Sequence, residues 1–343
     1  MMQQTLVKVK QETEADQLKR AFVKIMIEIS QIIPETPTLE NIAIFEPSIE
    51  HIKVATDNLI EWLDDEDLIW PFVGLGRFYK GQGLYREASP YFEQCPNQIE
   101  QRIGNAHSTL ATALNNLAVL YSDQEKYKEA ELLYQRSLAI SENQLGSEHP
   151  SVAISLNNLA ELYYSQEKHE EAESLYIRSL IILEKQLGEN HPHVATNLNN
   201  LAALYVFQGK YEEAEPLYQR SLSIKENLLG INHPEIAISL NNIAAFYYAQ
   251  GKYEEAEPLY QRSLSIRENL LGVNHPDIAI SLNNLAELYR SQGRYEEAEP
   301  LYRKAITITN QTFDTNHTNT QIAITNYFSM LSQISDKKLQ PES

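Results

Sequence analysis

What this sequence has least of is cysteine. Cys95 stands alone in 343 residues, so no internal disulfide framework can form and no set of thiolates is available for a structural zinc site. A reducing, cytoplasmic setting is expected. Basic residues are also scarce, 28 Lys and Arg against 47 Asp and Glu, for a formal charge of −19. Duplex and other polyanionic partners are disfavoured, because phosphate binding calls for clustered cations. No run approaches the roughly 20 apolar residues that span a bilayer. The first thirty residues, with Glu12, Glu14 and Asp16 among their lysines, lack the apolar stretch and cleavage site of a secretory signal. We expect no nucleic-acid partner and no membrane span. The phosphate-cradling pattern Gly-x-x-x-x-Gly-Lys-Ser/Thr is missing too. Gly74-Leu75-Gly76 and Gly81-Gln82-Gly83 fall in an expected helix and its following turn, outside the strand-turn-helix setting such a loop needs. What remains is 43% hydrophobic, ample for a folded core.

The chain is organised by a period. His107, His149, His191, His233, His275 and His317 stand 42 residues apart, and the pairs Asn115-Asn116, Asn157-Asn158, Asn199-Asn200, Asn241-Asn242 and Asn283-Asn284 keep the same spacing. Segments 208–243 and 250–285 agree at 32 of 36 positions, which duplication explains. Within the unit 149–190, Val152, Leu156, Leu159, Ala160 and Tyr163 recur every three or four residues, the mark of an amphipathic helix, here helix A. Ala172, Leu175, Tyr176, Ser179, Leu180 and Leu183 trace a second, helix B. Leu187-Gly188 closes helix B in the left-handed conformation, and Asn190-His191-Pro192 opens the next helix A, where proline fits the first turn. Gly209, Gly251 and Gly293 mark the A-to-B turn, with Glu125 and Glu167 in that place earlier. Pro216, Pro258 and Pro300 lie just past the first turn of helix B and predict a slight bend or a later start.

These residues match the tetratricopeptide repeat pattern, carried in the unit at His233 by Leu240, Ile243, Ala244, Tyr247, Gly251, Ala256, Tyr260 and Ser263. The 42-residue period and the junction Leu229-Gly230-Ile231-Asn232-His233-Pro234 resemble kinesin light chains. The resemblance implies an all-α, right-handed superhelical solenoid of helix-turn-helix repeats. Five repeats are expected over 107–316. A divergent one covers 65–106, in which Gly74 replaces the second Asn and Pro96 should interrupt or end helix B. Ile322, Ile324, Tyr327, Phe328 and Leu331 mark a capping helix over 317–335, with Thr325 and Asn326 in place of the Asn pair, before a loose tail, 336–343. Residues 1–64 form an N-terminal helical cap region with two apolar stripes, Leu18, Phe22, Ile25, Ile29, Ile32 and Ile52, Ala55, Leu59, Leu63, separated by Pro34 and Pro37. The run from Asp67-Leu68-Ile69-Trp70-Pro71-Phe72 to Tyr85 is similar to the segment preceding sensor repeats in bacterial signalling ATPases, which would make this chain a detached sensor arm.

No catalytic residue, metal ligand or cofactor site is read here. Successive histidines would sit roughly 10 Å apart in stacked repeats, while zinc holds its nitrogens at about 2 Å; ordering the turn before each proline is the simpler role. Glu212-Glu213, Glu254-Glu255 and Glu296-Glu297 open helix B, where the helix dipole favours acids. The working surface is expected on the concave wall lined by helix A. In the resembling register the inward set of the unit at 149 is Ile154, Asn157, Asn158, Glu161, Tyr164 and Ser165. Asparagine is about 0.5 kcal/mol worse than alanine in a helix, so five tandem pairs need a reason. Two stand open: gripping a peptide backbone with both donors and an acceptor, as in kinesin light chains, or bridging neighbouring repeats with one member of each pair. Candidate peptide-binding residues are therefore Asn115, Asn116, Asn157, Asn158, Asn199, Asn200, Asn241, Asn242, Asn283 and Asn284, with Tyr164, Phe207 and Tyr248 supplying pockets. Thr112, Ile154, Thr196, Ile238 and Ile280 stand where chaperone-tail binders of this family carry Lys or Arg. With Arg77, Lys80 and Arg290 the only candidate cations, a neutral or basic protein segment is the expected ligand of a non-enzymatic adaptor.

Overall fold

The computed structural model describes residues 2–313 and 317–339, and no strand occurs among them. The helices are α1 (Met2–Ile32), α2 (Leu39–Asp57), α3 (Trp70–Lys80), α4 (Tyr85–Arg102), α5 (Ser108–Asp123), α6 (Tyr127–Leu145), α7 (Pro150–Ser165), α8 (His169–Leu187), α9 (Pro192–Phe207), α10 (Tyr211–Leu229), α11 (Pro234–Ala249), α12 (Tyr253–Leu271), α13 (Pro276–Ser291), α14 (Tyr295–Thr312) and α15 (Thr318–Leu339), with a 3-10 turn at Ile60–Trp62. They form two compact units, Met1–Tyr121 with Leu132–Gln144, and Ser122–Glu131 with Leu145–Ser343.

In the first unit, α1 and α2 pack as helices on α3, but the expected stripe on α1 is out of phase. Leu18, Ile25 and Ile32 are exposed, and the buried face is Val23, Met26, Ile27, Ser30 and Ile33. Both faces of α1 carry apolar residues, and the neighbour decides which is covered: α3 presents Gly74, where a Cβ would come within 2.8 Å of the Ser30 Cβ. Gly76 is likewise filled from outside, by the ring of Phe92. These two glycines serve close helix packing. The second expected stripe is shortened, because α2 ends at Asp57 and leaves Leu59 and Leu63 on the irregular segment that follows. Arg102 pins that segment, donating from Nη1 to the Ile60 carbonyl at 2.9 Å, from Nη2 to the Leu63 carbonyl, and pairing with Asp65. Pro96 does not end helix B. It lies inside α4, which runs unbroken to Arg102, because Phe92, Cys95, Pro96 and Ile99 together form its buried face.

The second unit alternates 16-residue A helices (α7, α9, α11, α13) with 19-residue B helices (α8, α10, α12). Val152, Leu156, Tyr176 and Leu183 are at most 2% exposed. At about 2 kcal/mol for each buried side chain, this outweighs the helix-propensity cost of an Asn pair. Three hairpins are clamped by the small residue of helix B: Ser179, Ser221 and Ser263 donate from Oγ to the carbonyls of Ala153, Ala195 and Ala237 at 2.6–2.7 Å, while α14 has Ala305 in that place. Neighbouring hairpins are tied by an acid on helix B and a cation on the next A-to-B turn, as in Lys210 to Glu173 at 3.2 Å and Arg294 to Glu257 at 2.7 Å. The cation also lies over an aromatic ring, Lys210 over Tyr205 and Arg294 over Tyr289.

The junction histidines are N-caps. Nδ1 of His149, His191, His233 and His275 accepts from the backbone N–H two residues on, at 3.1–3.2 Å, with Pro at the first helical position. The glycines closing helix B combine φ near 80° with extended ψ, as at Gly230 (φ 78, ψ 163), rather than the expected left-handed helical pair. Pro216, Pro258 and Pro300 do not delay helix B, which begins at 211, 253 and 295, in register with α8 at 169. All three are solvent-exposed, where water can serve the carbonyl that loses its donor. At the other end α15 continues to Leu339, past the expected end at 335; residues 340–343 of the expected loose tail lie outside the described residues.

Candidate interaction surface

Within the second unit, α7 meets α9, α9 meets α11, α11 meets α13 and α13 meets α15, while each B helix packs between A helices. Like meeting like on one side only is the geometry of a stack that curves toward its A helices. The A faces carry the Asn pairs, and the two members of each pair differ. Asn157, Asn199, Asn241 and Asn283 are buried, at 7%, 2%, 7% and 9% exposure, whereas Asn158, Asn200, Asn242 and Asn284 are half-buried. Their amides form a ladder between repeats. Asn200 Nδ2 donates to Asn157 Oδ1 at 3.5 Å, Asn284 to Asn241 at 3.2 Å, and Asn326 to Asn283 at 3.2 Å. One rung is open: Asn199 Oδ1 is buried without a partner, and the Asn242 side chain makes no hydrogen bond among the described residues. Asn115 and Asn116 lie on α5 in the first unit, both half-buried.

The aromatic candidates sit near the ends of the A helices. Phe207 is 60% exposed, with its ring 6.1 Å from Tyr164 and 4.3 Å from His169. Burial raises the Tyr164 phenol above its ordinary pKa. Tyr248 is held, its hydroxyl 2.9 Å from Ser291 Oγ and donating to Glu287 at 3.3 Å. Glu287 is the node of a larger network. It also accepts from Tyr302 at 2.8 Å and from Arg290 Nε at 3.0 Å. Burial would raise this carboxyl, yet the hydrogen bonds from Arg290 and Tyr302 outweigh it and hold the group below the usual range. Arg290, one of the three candidate cations, is therefore committed to an internal pair. Arg77 is similarly engaged, with Glu35 at 2.9 Å. Helical spacing carries a signal for the buried Asn: Asn157 has Ala153 and Ala160 four and three residues away, small neighbours that let the next repeat come close.

The fold and this wall define a helical-repeat interaction scaffold. Tetratricopeptide repeat models match residues 67–143, 109–185, 151–227 and 235–311, and a second such model matches 199–270. The chain belongs to the tetratricopeptide repeat family. Among solved structures it is similar to BtubC (BKLC) from P. vanneervenii, at 27% identity over 66% of this chain and 90% of that one, TM-score 0.50. Two others share the fold at lower identity. A Rap protein complexed with Competence and Sporulation Factor is 15% identical over 95% of this chain and 88% of that one, TM-score 0.61. NprR in complex with its cognate peptide NprX is 17% identical over 88% and 83%, TM-score 0.59. No curated protein matches closely enough to be called a relative.

Proposed function

We propose that this scaffold is not an enzyme but an adaptor that binds an extended protein segment along the A-helix wall of its second unit. The observation that carries the reading is the division of labour within each Asn pair. The buried member accepts the bridge from the next repeat, Asn200 to Asn157 and Asn284 to Asn241, while the half-buried members Asn158, Asn200, Asn242 and Asn284 are partly exposed, and Asn242, outside the ladder, keeps its amide donors and acceptor for a ligand. Asn242, opposite the open rung, is the central anchor. Phe207 and Tyr164, near the ends of α9 and α7, provide an apolar seat, and NprR, which shares the fold, holds a peptide. A net charge of −19 and the engagement of Arg290 by Glu287 support a neutral or basic ligand over an acidic one.

The test is a synthetic peptide library sorted by net charge, screened with the parent protein and with the variant Asn158→Ala/Asn200→Ala/Asn242→Ala. Neutral and basic peptides should bind the parent and lose at least about tenfold in affinity with the variant, while helicity is kept. Equal binding by the variant, or selection of acidic peptides, would overturn the reading.

A further inference from the structure

The last helix of the second unit touches a turn almost two hundred residues earlier. His317 Nε2 lies 3.2 Å from the Asp123 carbonyl, and the Thr318 backbone N–H donates to Glu125 Oε1 at 2.8 Å. All four residues belong to the second unit. We propose that this contact is a clasp: it holds the A-to-B turn at 122–126 against the start of α15 and fixes how far the stack of the second unit can open.

Three features set it apart from incidental surface proximity. The first is the helix start. α7, α9, α11 and α13 have proline at the first helical position, which has no N–H to satisfy. α15 begins with Thr318, whose N–H needs an acceptor, and Glu125 supplies it from across the stack. A carboxylate at a helix N-terminus is also favoured by the dipole.

The second is the imidazole. Its Nδ1 accepts from Asn319 N–H at 3.3 Å, as in the other junctions, which leaves the proton on Nε2 to be donated to Asp123, the last residue of α5. One histidine thus caps one helix and satisfies the carbonyl end of another. Phe313 stacks on the ring at 3.8 Å and 13°, fixing its plane. The third is a carboxylate kept at a left-handed turn position and used. Glu125 has φ 60, where later repeats place Gly209, Gly251 and Gly293. Glu167 shares the strain at φ 62, but its carboxylate makes no contact among the described residues, so it is an internal control.

The test needs no ligand, so it stands or falls separately from peptide binding. Hydrogen exchange of the segment that begins α15 and the small-angle X-ray radius of gyration are compared for the parent, Glu125→Ala, Glu125→Ala/His317→Ala, Glu125→Gln and Glu167→Ala. Loss of a hydrogen bond to a charged acceptor should speed exchange at Thr318 about tenfold or more in both Glu125→Ala variants. The double variant should also have the larger radius. Glu125→Gln, which keeps an acceptor oxygen, and Glu167→Ala should resemble the parent. Unchanged exchange and radius in the double variant, with helicity intact, would overturn the clasp. Should the double variant lose its helicity, Glu125→Ala alone decides through the Thr318 amide, because it leaves the His317 cap in place.

Discussion

At the scale of single residues, positive φ separates the two strained glutamates. A left-handed non-glycine residue costs about 1 kcal/mol, so Glu167→Gly should raise unfolding free energy by about that amount, read from the denaturant midpoint. Glu125→Gly gains the same backbone relief but forfeits its carboxylate contact with Thr318, and its midpoint should rise by less. One junction histidine, His233, gives a pH dependence. Burial lowers the His233 pKa, aided by Lys225 and opposed by Glu235. The unfolded chain therefore binds more protons than the folded one as pH falls below about 6.5. The cap's contribution is complete above that value and lost on acidification. His233→Asn retains a side-chain acceptor without the titration. Its melting temperature should match the parent near pH 8 and exceed it near pH 5.

At the scale of elements, the serine clamps and the close-packed glycines carry the hairpins. Ser221→Ala removes a buried bond of 2.6 Å to the Ala195 carbonyl and should cost about 1 kcal/mol in chemical denaturation, adding nearly independently to the same change at Ser179. Gly76→Ala should cost more, about 1–3 kcal/mol, because the new methyl would overlap the Phe92 ring at 2.3 Å. The repeats were legible because period, Gly and His-Pro junctions all encode local geometry. The misreadings share a cause: each turned on a neighbour the local sequence does not name. Leu18, Ile25 and Ile32 form as good a stripe as Val23, Met26 and Ile33, and α3 chooses between them. Pro96 ends a helix in isolation, but burial of Phe92, Cys95 and Ile99 carries α4 through it. Which Asn of each pair bridges was open until the 42-residue stack brought Asn241 to Asn284.

At the scale of the whole molecule, the two compact units can be followed separately. Trp62 and Trp70 are the only tryptophans, and both lie in the first unit. Most of the helix lies in the second. Guanidinium unfolding followed by tryptophan fluorescence should therefore report the first unit, and the circular dichroism signal chiefly the second. We expect the two curves to have distinct midpoints; superimposable curves would show that the units unfold as one.

Segments 208–243 and 250–285 are close to interchangeable, so unequal recombination could add or delete a whole repeat with every interior interface preserved. The meeting of Glu125 with Thr318 opposes such drift. One inserted unit would carry α15 a rung onward, and its first amide would find no carboxylate waiting. Within the second unit the Glu125–Thr318 contact is thus a local check on the number of repeats between them.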